Sequence, residues 1–101
     1  MLSYKRDTYC GQVTEKLAGK EVHLSGWVQR ARDLGGVVFV WLRDREGLVQ
    51  LVFDEAVCSH EVFELGRSLR SEYVVTCKGE VRMRAESAVN VHPHIVFAAK
   101  F

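Results

Sequence analysis

The strongest indication of the fold lies in residues 26–47, whose sequence is GWVQRARDLGGVVFVWLRDREG. Residues 37–42 are β-branched, aromatic or aliphatic, which is the composition of a β-strand. Gly35 and Gly36 are typical of a tight turn before that strand, and Gly47 is typical of a second reversal after it. The segment therefore predicts strand, turn, strand and turn, with a third strand to follow.

Residues 37–42 are one of five strands that the sequence predicts, together with one helix. Alternating apolar and polar residues predict that strands occupy residues 21–32, 48–53, 73–84 and 95–99. Helical spacing of apolar residues predicts one amphipathic helix within residues 54–70, with Ser59 as its N-cap. Residues 85–94 are expected to form a loop. Gly26 predicts a bulge or bend, and its neighbour Trp27 is expected to be buried, as large aromatic residues usually are.

This order of elements predicts an all-β fold. Three strands, a helix and two further strands are the order of the OB-fold, a five-stranded Greek-key barrel with one α-helix between strands 3 and 4. A β-sandwich needs more strands. A ferredoxin-like fold needs a helix after the first strand, where this sequence has a tight hairpin.

The composition is that of an ordinary globular domain. The 101 residues suffice for one domain, 48% of them are hydrophobic, and the net charge is only +1. That charge does not suggest a binder driven by electrostatics alone, although local charge still acts within a Debye length. Cys10, Cys58 and Cys77 are odd in number and widely spaced, which indicates reduced thiols in a cytoplasmic protein. Since no apolar run reaches the ~18 residues of a membrane span, no membrane partner is expected.

Polar groups of the predicted turns show no catalytic arrangement. Four acidic residues, Asp33, Asp44, Glu46 and Asp54, lie in or beside turns, where carboxylates normally cap backbone amides. His92 and His94 have the spacing of metal ligands, but no third ligand is evident, and a solvated loop is the expectation. We therefore predict no catalytic residue, metal or cofactor in this chain.

Aromatic and basic residues are concentrated on the first strands. Phe39 and Trp41 share one face of the second strand, and Gln50 lies among apolar neighbours on the third. Cations that such a face can use are Arg30, Arg32, Arg82 and Arg84. Rings stack on unpaired bases, cations hold phosphates and amides read base edges, so one hypothesis is a single-stranded nucleic-acid face. The other is a solvated barrel face with scattered arginines.

Seven stretches, taken in order, resemble the N-terminal anticodon-binding domain of bacterial-type aspartyl-tRNA synthetases. They are residues 9–11, 22–28, 30–33, 35–39, 42–54, 69–75 and 79–84. The run LRDREGLVQ at residues 42–50 separates this family from its lysyl and asparaginyl relatives. The resemblance implies that residues 1–101 form one OB-fold anticodon-binding domain without the class II catalytic domain, as a fragment, an excised domain or a free-standing relative.

The resemblance also implies a partner, the anticodon loop of aspartate tRNA. By position, Phe39 would stack on the middle anticodon base, and Gln50 and Arg32 would contact anticodon bases. The residues implied to bind tRNA are Arg30, Arg32, Phe39, Gln50, Arg82, Arg84 and Asn90, the last three serving the third base and nearby backbone. The parent enzyme would be a cytoplasmic homodimer that joins aspartate to tRNA, using ATP and magnesium in its separate catalytic domain.

The chain departs from the family pattern at two positions that bear on recognition. Trp41 stands where the family usually has Asp, and Val96 stands where it has an acidic residue that reads a base. Two alternative functions therefore stay open. One is a free-standing OB domain that binds single-stranded nucleic acid, and the other is a degenerate barrel used for protein–protein contact.

Overall fold

A computed structural model describes residues 10–85 and 88–99 of the chain. Its strands are β1 (Glu21–Asp33), β2 (Val37–Asp44), β3 (Gly47–Asp54), β4 (Val74–Ala85) and β5 (Ala88–Ala99), with helix α1 (His60–Ser68) between β3 and β4. They close into a barrel in the order β1-β2-β3-β5-β4, in which β4 pairs back to β1. All pairs are antiparallel except β3 with β5. The predicted OB-fold is confirmed.

Helix α1 is fixed at its start by its cap and along its length by close packing. The Ser59 hydroxyl accepts a hydrogen bond from the Val62 N–H at 3.2 Å, which confirms the predicted N-cap. Phe63 and Gly66 are the buried residues of the helix. A Cβ on Gly66 would lie 2.4 Å from the ring of Phe53, so the helix approaches the barrel core as closely as a glycine allows.

The turns are held by carboxylates, as the sequence predicts for three of four acidic residues. Asp44 accepts hydrogen bonds from the backbone N–H groups of Cys10, Glu46 and Gly47 at 2.8–3.0 Å. Burial alone would raise the pKa of Asp44, but these donors outweigh it and hold the pKa below its usual value. Asp33 and Asp54 cap the N–H groups two residues on. Glu46 instead pairs with Arg45 across 3.7 Å.

The predicted loop at residues 85–94 is wrong for most of its length. Strand β5 begins at Ala88, and its first half pairs with the end of β4, for example Met83 with Val89. The pairing skips a residue near Pro93, where the partners of β4 jump from Ile95 to Pro93. Because a bulge breaks the two-residue alternation, the pattern of apolar residues conceals this part of the strand.

Trp27 is 44% exposed, so the expectation that it is buried is wrong. Its neighbours Gly26 and Val28 face the interior instead. A Cβ on Gly26 would lie 2.3 Å from the carbonyl oxygen of Arg43, so the strands approach too closely there for any side chain. The bulge of β1 lies further along, at Gln29.

Candidate nucleic-acid interface

Strand register brings the predicted site residues into two rows across β1, β2 and β3. Arg30 pairs with Trp41, which pairs with Gln50 on the next strand. In the neighbouring row Arg32 pairs with Phe39, which pairs with Val52. We define the front face as the outward side chains Arg30, Arg32, Phe39, Trp41 and Gln50. It joins four of the seven predicted tRNA-binding residues.

The bulge at Gln29 decides which way the two arginines point. Val28 faces the core opposite Leu42, and strict alternation would turn Arg30 inward as well. The register between β1 and β2 shifts by one residue after Val28, so that Arg30 stands opposite the outward Trp41. An extra residue in one strand therefore places Arg30 beside Trp41 and, two positions on, Arg32 beside Phe39.

The rings of the front face lie side by side and carry a cation. The centroids of Phe39 and Trp41 are 6.3 Å apart, with ring planes inclined by 39°. The guanidinium carbon of Arg30 lies 4.3 Å from the centroid of Trp41, within the distance of a cation–π interaction. Both rings are partly exposed. This side of the barrel therefore presents π surface and positive charge together.

The front-face arginines have no acidic partner within residues 10–85 and 88–99. Arg30 and Arg32 are both exposed, and neither forms an ion pair with any other described residue. On the side of β1 that pairs with β4, by contrast, the half-buried Lys78 is neutralised, because its ammonium lies 3.2 Å from Glu21. The front face therefore keeps a local positive charge although the net charge of the chain is only +1.

The remaining predicted site residues lie on the β4–β5 side. Arg82 pairs with Asn90 across these strands, and its guanidinium also contacts Glu80 at 2.7 Å. The parallel pairing of Leu51 with Val91 turns their predecessors, Gln50 and Asn90, to the same side of the sheet. Arg84 lies in β4, but its side chain falls outside the described residues.

Asn90 is only 6% exposed, and its Oδ1 atom is buried without a hydrogen-bond partner in the described part of the chain. Buried carbonyl oxygens are nearly always paired, so this acceptor is an unsatisfied group beside Gln50.

Several depressions lie along the front face or on the strands that carry it. A shallow groove of about 260 Å³ is lined by Trp41, Leu48, Val49, Gln50 and Val89. A larger one of about 360 Å³ includes Val52, Asp54, Glu80, Arg82, His92 and His94 in its lining. In the larger depression the Nδ1 atom of His92 is buried without a partner in the described chain, and burial together with the charge of Arg82 lowers the pKa of His92.

Sequence reasoning did not find this position of His92, because it placed the residue in a solvated loop. The alternation of the apolar Val89 and Val91 with the polar Asn90 and His92 is the signal in the sequence that indicates a strand there. Within the described residues no group of three or more His, Cys, Asp or Glu side chains is arranged to hold a metal ion. No helix among those residues is both long enough and apolar enough to cross a membrane.

Comparison with known families agrees with this geometry. Residues 22–96 match tRNA_anti-codon, a family of OB-fold nucleic acid binding domains. The chain belongs to this family. The match includes all three strands of the front face and all seven predicted site residues.

Its relatives among characterised proteins are ligases. The chain is 51% identical over 86 residues to the aspartate–tRNA(Asp/Asn) ligase of Symbiobacterium thermophilum, and 54% identical over the same length to the aspartate–tRNA ligase of Enterococcus faecalis. The aligned part is 85% of this chain and 14% of each relative. The chain thus corresponds to about one seventh of these enzymes, and it is the anticodon-binding OB domain that they have in common with it.

Solved structures show the same architecture. The asparaginyl-tRNA synthetase of Pyrococcus horikoshii aligns with a TM-score of 0.82 at 35% identity, covering 92% of this chain and 23% of that one. An OBody bound to hen egg-white lysozyme aligns with a TM-score of 0.90 at 26% identity, covering 100% of this chain and 98% of that one. The OB-fold domain therefore occurs both within synthetases and as a separate protein.

Proposed function

We propose that this OB-fold domain binds the anticodon loop of aspartate tRNA through its front face. Phe39 stacks on the middle anticodon base, while Gln50 and Arg32 contact base edges. Arg82, Arg84 and Asn90 serve the third base and the adjoining backbone. The observation that supports the proposal most strongly is the juxtaposition of partly exposed rings with two arginines that have no acidic partner among the described residues.

Physical chemistry favours RNA as the occupant of this face. Single-stranded loops expose flat bases and a phosphate backbone, which match π surface and unpaired positive charge respectively. Binding that combines stacking with base-edge contacts distinguishes sequences, whereas binding through phosphates alone does not.

We further propose that the domain delivers tRNA to a ligase catalytic domain outside residues 1–101. The similarity to aspartate–tRNA ligases supports this assignment. That catalytic domain would hold ATP and magnesium, in a cytoplasmic homodimer. Aspartylation of tRNA by the longer protein, dependent on ATP and magnesium and reduced by front-face substitutions, is the result expected.

The first experiment measures binding of a fluorescently labelled anticodon stem-loop of aspartate tRNA by anisotropy, at two salt concentrations. A second stem-loop carries a changed middle base. The Phe39→Ala variant is expected to bind the cognate loop about 5- to 150-fold more weakly, the effect of losing one stacked base. The matched control is Phe97→Ala, the same truncation at an exposed ring of β5 outside the front face.

The outcomes separate the candidate functions. Preference for the cognate loop that is lost in Phe39→Ala, but kept in Phe97→Ala, supports anticodon recognition. Equal binding of both loops that disappears at high salt would identify a non-specific single-strand binder held by phosphates. Absence of binding by the wild-type domain at both salt concentrations would refute the RNA proposal.

A protein partner is the second candidate, and one observation favours it. The OBody that shares this fold over its whole length is bound to lysozyme, so an OB barrel of this size can support a protein interface. If the front face binds protein instead, Phe39→Ala leaves stem-loop binding unchanged because there is none to lose. Cross-linking of the domain to a partner protein through front-face positions would then replace the RNA assay.

A further inference from the structure

Trp41 occupies the middle of the front face, yet the proposed function gives it no role. It stands between Arg30 on β1 and Gln50 on β3, and it is two residues from Phe39 on the same face of β2. Its ring is partly exposed, so the core does not account for it. A large aromatic residue kept at the surface beside charged groups is the arrangement that proteins use to stack on unpaired bases.

The surroundings of Trp41 differ on its two sides. On the β1 side the guanidinium of Arg30 lies 4.3 Å from the ring centroid. On the β3 side the ring forms one wall of the 260 Å³ groove, together with Leu48, Gln50 and Val89. This volume is slightly below the ~300 Å³ at which small-molecule sites begin, which suits a single base better than a larger ligand.

Arg30 adds charge at this position. Among the described residues it has no carboxylate partner, and its contact with the ring leaves the cation charged, because a π system does not neutralise it. A nucleotide whose base entered the groove would meet an apolar wall, the amide of Gln50 and a nearby cation for its phosphate. A neutral apolar ligand would gain nothing from Arg30.

We propose that Trp41 is a second stacking platform, which holds an unpaired base next to the one on Phe39, with Arg30 fixed beside it as a phosphate contact. The 6.3 Å between the two ring centroids places the platforms at neighbouring positions of one strand of RNA. This inference rests on the proposed function. It gives a stacking partner to the anticodon base on one side of the middle base.

Tryptophan fluorescence tests the inference directly. The chain has two tryptophans, so Trp27→Phe makes Trp41 the sole reporter. Trp27 is exposed and lies outside the front face, and circular dichroism checks that the variant is folded. Because a stacked base quenches indole emission, saturating anticodon stem-loop is expected to remove more than about half of the Trp41 signal. Stem-loops abasic at the 5′ or the 3′ neighbour of the middle base identify the stacked nucleotide.

A second variant measures the effect on affinity. Trp41→Leu keeps an apolar side chain on β2 and removes the platform, and it is expected to weaken binding about 5- to 150-fold. Trp27→Leu is the matched control, with binding unchanged within twofold. The stem-loop that lacks the base stacked on Trp41 is expected to bind the wild-type and Trp41→Leu proteins equally, because the stacking interaction is already missing from it.

The readouts distinguish failure of this inference from failure of the proposed function. If the cognate loop binds with preference for its middle base but Trp41 fluorescence does not change, the second platform is refuted and anticodon binding stands. If Trp41→Leu weakens every loop equally, including both abasic ones, Trp41 only orients Arg30 and the platform is again refuted. If no loop binds the wild-type domain, both proposals fall.

Discussion

Both halves of β1 carry charged residues, but the partners of those residues differ. The first half, Glu21–Gly26, pairs with β4, and its Glu21 lies 3.2 Å from Lys78 and 2.8 Å from His94. The second half pairs with β2, and there Asp33 pairs with Arg67 at 3.4 Å while Arg30 and Arg32 form no ion pair with any described residue. The difference teaches that the presence of a partner, rather than the number of charges, decides which cations of a strand remain available to an outside group.

The physical basis of this difference is the cost of leaving charges unpaired. Exposed ion pairs contribute little to stability, so pairing an exposed cation brings the fold only a small gain. Leaving Arg30 and Arg32 unpaired therefore costs the fold little and preserves their field for a phosphate. Five predictions test the comparison, and they descend from the effect on the whole fold to the effect on one surface pair.

Deletion of Gln29 is expected to have the largest effect. Without the extra residue, one half of β1 must shift by one position, which turns either the two arginines away from Phe39 and Trp41 or Val28 out of the core. We expect loss of cooperative unfolding in urea, or a loss of most of the stability. Gln29→Ala keeps the backbone of the bulge and is the matched control, expected to unfold nearly as the wild type does. Equal stability of the deletion variant would contradict the role assigned to the bulge.

Asp44→Ala is expected to have the second largest effect, because the carboxylate of Asp44 accepts hydrogen bonds from backbone N–H groups of the fold. Three backbone N–H groups lose their acceptor, which should lower the free energy of unfolding by about 2–4 kcal/mol. Urea unfolding measures the loss. Glu46→Ala, at an exposed neighbour in the same turn, should change the midpoint little.

The pH dependence of Asp44 follows from its lowered pKa. A carboxyl group whose pKa is lower in the folded state contributes stability that is present above its unfolded pKa of about 4 and is lost as pH falls through the folded value. The stability difference between wild type and Asp44→Ala should therefore shrink below about pH 4. A difference that is the same at pH 7 and pH 2.5 would contradict this account.

The double substitution Arg30→Gln and Arg32→Gln is expected to act on binding alone. Stem-loop affinity should fall about 5- to 150-fold, and the slope of log K against log salt should become shallower by roughly 1.4, at ~0.7 for each phosphate that an arginine no longer neutralises. The urea midpoint should change little, since neither arginine has an ion pair to lose in the described chain and the cation–π contact of Arg30 with Trp41 contributes only about 0.5–1 kcal/mol at an exposed site. An unchanged salt slope would show that these arginines do not face phosphate.

Lys78→Gln is expected to have the smallest effect and serves as the charge-matched control for the front face. Stem-loop binding should stay within twofold of wild type. The hydrogen bond and the charge of Lys78 hold the pKa of Glu21 below its usual value, so the substitution should raise that pKa toward normal. NMR titration of the Glu21 carboxyl group measures the shift. A large loss of RNA binding would extend the binding surface to the first half of β1 and break the comparison.

Local sequence patterns were sufficient for most of the fold. Gly35 and Gly36 mark the β1–β2 turn, Ser59 marks the start of α1, and three aspartates cap the turns in which they lie. These features depend on neighbours within a few residues. The start of β5 was missed because its alternation is interrupted near Pro93, and Trp27 was misplaced because burial of a strand residue depends on which face the core covers.

Some features of the candidate site could likewise be predicted from the sequence, and others could not. A resemblance carried by short ordered stretches was enough to name Arg30, Arg32, Phe39 and Gln50 as front-face residues. The contact of Arg30 with Trp41, the pairing of Arg82 with Glu80 and the unsatisfied oxygen of Asn90 had no signal in the sequence. These features depend on strand register and side-chain conformation. The residue pattern of a single strand does not contain that information.

The sequence by itself therefore determined the elements, the OB topology and the family, because hydrophobic periodicity and turn residues act locally and fix which segments become strands. The tertiary structure alone decided which charges are paired and which side of the barrel stays positive. A single bulge at Gln29 reverses the facing of the residues after it. Closure of the barrel brings Glu21 to Lys78, and the pairing of β1 with β2 sets Arg30 against the ring of Trp41.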